Sequence, residues 1–233
     1  MSFKADIGII GAMEDEVNEI ISIMDERASE TYSGITFYQG KIYSKNVVIA
    51  KCGIGKVFAA LAAEVMILQY SPALVVNTGV GGALREGISP CDVVVADSLV
   101  QHDMDTSPIG DPKGLISGIN VIYFNTDKRA RDIILKAAEK NGINCFIGRI
   151  ATGDKFISSR EDKERIRADF SADACEMEGG AIAQVAYVNS TPVVVIRAIS
   201  DSADGVASMD YPTFLPIAVK SSASLTLELI KEY

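Results

Sequence analysis

Short apolar runs of strand length alternate along this chain with longer stretches whose apolar positions recur every three to four residues. ADIGIIGAM predicts a buried strand stopped by Gly11. EDEVNEIISIMDE follows, with Val17, Ile20, Ile21 and Met24 on one face of an amphipathic helix. GITFYQGKIY and NVVIAKCG predict a hairpin joined through Ser44-Lys45-Asn46. GKVFAALAAEVMILQY is apolar almost all round, which predicts a helix packed on both sides. PALVVNTGVGG, DVVVADSLVQ and NCFIGRIATGD read as strands, and SPIGDPKGLISG as a Gly/Pro-rich loop. DKRARDIILKAAEKNG predicts a helix stopped by Asn-Gly, and EDKERIRADF a polar, exposed one. MEGGAIAQVAYVNS predicts a helix, and PVVVIRAIS a strand buried on both faces. YPTFLPIAVKSSASLTLELIKEY predicts a terminal helix with Pro216 in or before its first turn. Such alternation means an α/β fold of three layers. No linker or repeat interrupts it, so residues 1–233 read as one domain.

Composition narrows the function classes. The chain is 48% hydrophobic with a mean hydropathy of +0.21, enough for a sizeable core. A net charge of −9 and a pI near 4.7 argue against nucleic acid and anionic membranes as partners. Cys52, Cys91, Cys145 and Cys175 form no C-x-x-C pair, which points to reduced thiols rather than a zinc or redox motif. MSFKADIGII lacks the pattern of a signal peptide, and no apolar run approaches the ~20 residues of a membrane helix. The expected location is the cytoplasm.

In open α/β sheets ligands bind beyond the carboxyl ends of the strands. Those ends carry Gly11 to Glu16, the glycines 79, 81 and 82, Gly153-Asp154 with Phe156, Glu176 and Glu178, and Arg197 with Ser200 and Asp201. Each has a plainer use. The acids at 14–16 complement a helix dipole, the glycines make a tight turn, and Arg197 with Asp201 or Glu176 makes a structural ion pair. His102 is the only histidine, which disfavours serine–histidine hydrolysis, and HDMD is a weak metal motif. Paired carboxylates beside glycine-built backbone donors suit general acid–base hydrolysis of a glycosyl-type bond.

The motifs IGIIGAMEDEV, CGIGKVFAA, NTGVGG, TGDKFI, EMEGGAIA and VVVIRAISDSAD carry a resemblance. In this order, from residue 7 to about 204, the chain resembles the 5′-methylthioadenosine/S-adenosylhomocysteine nucleosidase family of the purine nucleoside phosphorylase-like superfamily. The resemblance implies a central mixed, partly barrel-like sheet flanked by helices. It implies that Glu16 activates the attacking water and that Asp201, oriented by Ser200, protonates or hydrogen-bonds purine N7. Glu178 matches the ribose hydroxyl ligand, Met177 its neighbour under the sugar, and Glu176 the partner that organises Arg197. Phe156 stacks on adenine, the Ile157 backbone reads its Watson–Crick edge, and Met13, Ile54 and Tyr211 line the sugar and 5′ side. Val80 and Gly81 fall in the glycine segment near the water. A homodimer is implied, with Thr106 and Ile109 of the partner completing the 5′ pocket, and no cofactor or metal.

Two departures stand out. Val80 occupies a position where the family often has serine. The loop DTSPIGDPKG replaces an aromatic stretch, with Ile109 in place of one ring and Asp111 of another, so the preferred 5′ substituent is left open. Two other readings stand beside hydrolysis. Phosphorolysis needs converging arginines, and Arg85 is the one cation near the glycines. A non-catalytic binder on the same fold is at odds with the retained Glu16, Glu178 and Asp201.

Overall fold

The computed structural model describes residues 3–201 and 207–233, with side chains at 207–211 outside that description. β1 (Ile7–Gly11) is flanked in parallel by β4 (Lys45–Lys51) and β5 (Leu74–Ala83). β3 (Ile35–Ile42) and β2 (Asp25–Tyr32) extend the β4 side as antiparallel strands. On the other side the sheet closes. β10 (Val193–Asp201) pairs in parallel with β5 and antiparallel with β6 (Val93–Gln101). β6 pairs with β8 (Cys145–Thr152), β8 with β9 (Ala174–Glu176), and β9 returns to β5. The two-residue β7 (Phe124–Asn125) hangs on β6. Five strands therefore form a closed ring, and the expected mixed, partly barrel-like sheet is what the chain builds.

Strand alternation sorts side chains to two cores. Ile7, Ile9, Val47, Ile49, Leu74, Val76, Val194 and Ile196 face α1 (Glu14–Ser22), α3 (Lys128–Lys140) and α6 (Ala207–Glu232). Ile10, Val48, Ala50, Val75, Val193 and Val195 face α2 (Lys56–Tyr70) and α5 (Gly179–Val188). α4 (Arg160–Phe170) covers a third, smaller cluster with Ile166 and Phe170.

Several local expectations need correction. α1 ends at Ser22, and the charged segment beyond it is the edge strand β2, every residue of which is exposed or half-buried. Charge on an edge strand hinders edge-to-edge pairing. The β3–β4 turn is Tyr43-Ser44, one residue earlier than expected, since Ile42 pairs with Lys45. α2 is packed on one side only: Ala59, Ala62, Ala63 and Met66 are buried, while Val57, Phe58, Leu61 and Leu68 are exposed. α4 is not wholly exposed, because Lys163, Ile166 and Phe170 form a buried stripe. α6 starts at Ala207, so Pro216 lies inside it and not in its first turn. One stretch, Pro212–Glu232, does reach membrane-helix length, with a hydropathy of 1.2. It packs on β5 and β10 with Ala218, Ala223, Leu225, Leu229 and Ile230 buried, the signature of a core helix.

Candidate active site

The carboxyl ends of β1, β5, β9 and β10 surround a cavity of about 110 Å³. β1 stops at Gly11 and α1 begins at Glu14, so Glu16 falls in the first helical turn and folds back over the helix N-terminus. Its Oε2 accepts N–H bonds from Ala12 (2.7 Å) and Met13 (2.9 Å), and its Oε1 accepts one from Val80 (3.1 Å). Burial raises its pKa above the ordinary 4.5, against the opposing pull of Arg197. Glu16 therefore sits both at the helix N-terminus and on the cavity wall. Glu14 and Asp15 are exposed. The Val80 contact comes from its backbone, so it survives the loss of a serine side chain.

The glycines of β5 are not a turn. They lie within the strand and none has positive φ. A Cβ on Gly79 would collide with the Glu16 carboxylate, and one on Gly82 would sit 2.8 Å from Asp201 Oδ2. These residues are small because two carboxylates press against the strand.

Arg197 is 1% exposed and stands behind the cavity wall rather than in it. Its Nη2 donates to Asn77 Oδ1 and Glu176 Oε2 and lies 3.7 Å from Glu178 Oε2. Glu176 is used up structurally: Thr152 donates to one oxygen, and the N–H groups of Glu178 (2.9 Å) and Gly179 (2.6 Å) donate to the other. Glu178, at the start of α5, accepts an N–H from Gly55 at 2.9 Å. Gly55 has φ +98°, a conformation that favours glycine. Burial and the neighbouring Glu176 push the Glu178 carboxyl up to about 7.

Asp201 closes the opposite side. Ser200 Oγ lies 3.2 Å from its Oδ1, and Lys163 Nζ donates to its Oδ2 at 3.0 Å in a buried ion pair. Met13, Ile54, Val80, Gly81, Phe156, Ile157, Met177 and Ser200 all line the same cavity. Thr106 and Ile109 do not line it; Ile109 is 82% exposed on a 3₁₀ turn, and Thr106 Oγ1 donates to Asp111. The Tyr211 side chain lies outside the described residues. Arg85 pairs with Asp173 at 2.9 Å, lies over the Phe146 ring and does not line the cavity. Asp103 of HDMD binds Lys56 and the Asp154 N–H, a structural use. Among the described residues no group of three or more His, Cys, Asp or Glu is placed to hold a metal.

Sequence reasoning did not single out Asn77, Thr152 or Lys163. Asn77 and Thr152 were visible as polar breaks in apolar strands. Lys163 was visible only through its i, i+3, i+7 register with Ile166 and Phe170.

Carboxylates on opposite walls of one cavity define equipment for acid–base cleavage of a glycosidic bond. The sequence profile of the phosphorylase superfamily matches residues 6–231, and the chain belongs to that superfamily. It is 40% identical to the 5′-methylthioadenosine/S-adenosylhomocysteine nucleosidase of Haemophilus influenzae (strain PittEE) over 225 residues, 96% of this chain and 98% of that protein. The nucleosidase of Neisseria meningitidis in complex with methylthio-immucillin-A superposes with a TM-score of 0.94 at 34% identity, covering 97% of this chain and 99% of that one. Futalosine hydrolase of Helicobacter pylori superposes with a TM-score of 0.92 at 34% identity, covering 97% of each chain.

Proposed function

We propose that the protein hydrolyses the N-glycosidic bond of 5′-methylthioadenosine and S-adenosylhomocysteine, releasing adenine and the 5-substituted ribose. The observation that carries this reading is the convergence of Glu16, Glu178 and Asp201 on one buried cavity. Glu16 takes a proton from the attacking water, and burial strengthens it as a base. Glu178 holds the ribose hydroxyls, with Met177 beneath the sugar. Asp201, steadied by Ser200, assists departure of the base at N7 while Phe156 stacks on it. Arg197 offsets the charges of Glu176 and Glu178 from behind. The residues act as one nucleoside phosphorylase-like domain, soluble and cytoplasmic.

Hydrolysis is favoured over phosphorolysis by the disposition of the arginines: Arg85 is committed to Asp173, and Arg197 lies behind the wall. The test incubates purified protein with methylthioadenosine, adenosylhomocysteine, 5′-deoxyadenosine, adenosine, inosine and futalosine, with and without about 50 mM phosphate at matched ionic strength, so that screening is the same in both buffers. Equal release of the free base in both buffers, with free sugar as co-product, is expected for whichever of these nucleosides is cleaved. A sugar 1-phosphate, or a rate that saturates with phosphate, overturns hydrolysis. Futalosine belongs in the panel because Asp111 replaces an expected aromatic and a futalosine hydrolase is among the similar structures.

The protein acts as a homodimer. Support comes from the bare stripe Val57, Phe58, Leu61 and Leu68 on α2, which runs on to exposed Ile54 at the cavity. Such a stripe is unfavourable on a monomer, and a second copy laid on it can bring Thr106 and Ile109 to the 5′ side. A stable, active monomer in sedimentation at micromolar concentration contradicts this.

A further inference from the structure

Asp201 has to assist a leaving base, yet it faces an ammonium. Lys163 Nζ donates to Oδ2 at 3.0 Å, and Ser200 Oγ lies 3.2 Å from Oδ1. Both side chains of the pair are almost fully buried, at 2% and 3% exposure. Both oxygens of Asp201 are thus engaged by donors, one of them the ammonium of Lys163. Among the described residues, the cation that pairs with Asp201 is Lys163.

We propose that Lys163 supplies, through Asp201, the proton that the departing adenine takes up; this rests on the reading of the protein as an adenine-releasing nucleosidase. As the C1′–N9 bond breaks, its electron pair goes to the base. N7 takes a proton from Asp201, and Asp201 takes one from Lys163 Nζ, leaving a neutral amine and a carboxylate. Water adds to C1′ and gives its proton to Glu16. After the products leave, Glu16 returns that proton to solvent and Lys163 regains one, so charge and protons balance over the cycle.

Neighbouring groups do not compete for this task. The Cys175 thiol is pushed up to about 12 by burial and by the charge of Asp201, so it keeps its proton. Lys155 lines the cavity but pairs with Asp162 at 2.7 Å in a far more exposed position. The place of Lys163 on the inner stripe of α4 beside Ile166 and Phe170 aims a long flexible side chain at the end of β10. Lys163 is therefore a positioning and proton-supplying residue that acts through Asp201, and it does not itself line the cavity.

A merely charge-neutralising lysine would tolerate arginine, which stays protonated. The test measures adenine release from methylthioadenosine by wild type, Lys163→Arg, Lys163→Met and Lys163→Ala, at a temperature where circular dichroism shows all four folded. Expected is a fall in kcat of about 100-fold or more for both Arg and Met, with KM little changed. Added methylamine restores part of the Lys163→Ala rate, and guanidinium does not. Retention of more than about half of kcat by Lys163→Arg, the scale of a charge-only role, overturns the proposal. So does rescue of Lys163→Ala by guanidinium as well as by methylamine, which answers the same question if the arginine variant does not fold. Either result with an active wild type defeats only the relay. A wild type that releases no adenine from any nucleoside defeats the nucleosidase reading and the relay together.

Discussion

Replacing Glu16 by glutamine separates its structural role from its chemical one. Three backbone N–H groups converge on the carboxylate, two on Oε2 and one on Oε1. An amide can turn its oxygen to Ala12 and Met13, which leaves its NH₂ against the Val80 N–H. One hydrogen bond to a charged acceptor is lost, at about 1.5–3 kcal/mol. In the opposite sense, a buried charge disappears whose desolvation already raises the pKa of this group. The two effects oppose, so stability should stay within about 2 kcal/mol of wild type. The base, however, is gone, and general base catalysis is worth about 10²–10⁴-fold, or roughly 3–5 kcal/mol of barrier. The assay pairs kcat for adenine release with thermal unfolding and with calorimetric binding of adenine. A folded variant that binds adenine but turns over at least about 100-fold more slowly is expected. Glu14→Gln and Asp15→Asn, both at exposed positions, are the controls. Equal damage from either would mean that the acidic cluster serves the helix, and the catalytic assignment of Glu16 would fall.

Asp201→Asn should lose about 10²–10⁴-fold in kcat and also leave Lys163 buried beside an amide, so a lowered melting temperature should accompany the lost turnover; a variant keeping more than half of kcat removes Asp201 from the mechanism. Gly79→Ala forces the Glu16 carboxylate to move, and a crystal structure with that carboxylate unmoved, or undiminished activity, contradicts the close-approach argument. Glu178 binds its proton more tightly folded, at about 7, than at its ordinary 4.5, so between those values the folded state holds more protons than the unfolded one. Its contribution to stability therefore falls as pH rises through that window, by about 3 kcal/mol in all. Glu178→Gln, whose oxygen can still accept from Gly55, should flatten that part of the melting temperature against pH, and an unchanged slope would refute the linkage.

What could be read from the sequence, and what could not, follows from where the information lies. β10 was legible because a strand buried on both faces must be an unbroken apolar run, and Arg197 and Asp201 stand out against it. α1 was legible by period, and Glu16 by its place just past the first strand. β2 was not, since DERASETY has no apolar face and is held by backbone pairing to β3. The exposed stripe of α2 was hidden because a helix apolar all round has the same pattern whether its own chain or another surface covers it. Gly79 resembled a turn because its crowding comes from Glu16, a residue distant in sequence. Lys163 was masked by the charges around it in REDKERIRADF, among which only one register faces inward.

The readable part of the site has a common cause. Asn77 and Arg197 lie within β5 and β10, Thr152 and Glu176 end β8 and β9, and these four buried polar residues partner one another: Asn77 with Arg197, Arg197 with Glu176, and Glu176 with Thr152. A polar residue in a core strand is costly unless partnered. Four such residues on four strands of one closed ring can therefore coexist only if they meet. Their meeting point is the back wall of the cavity, where the network fixes Glu176 and sets Arg197 within 3.7 Å of Glu178. The interruptions in the apolar pattern are thus signs of the site's scaffold as much as of its chemistry. They lead to Glu178 through Arg197, whereas Lys163, introduced from a helix outside the ring, belongs to no strand and leaves no such interruption.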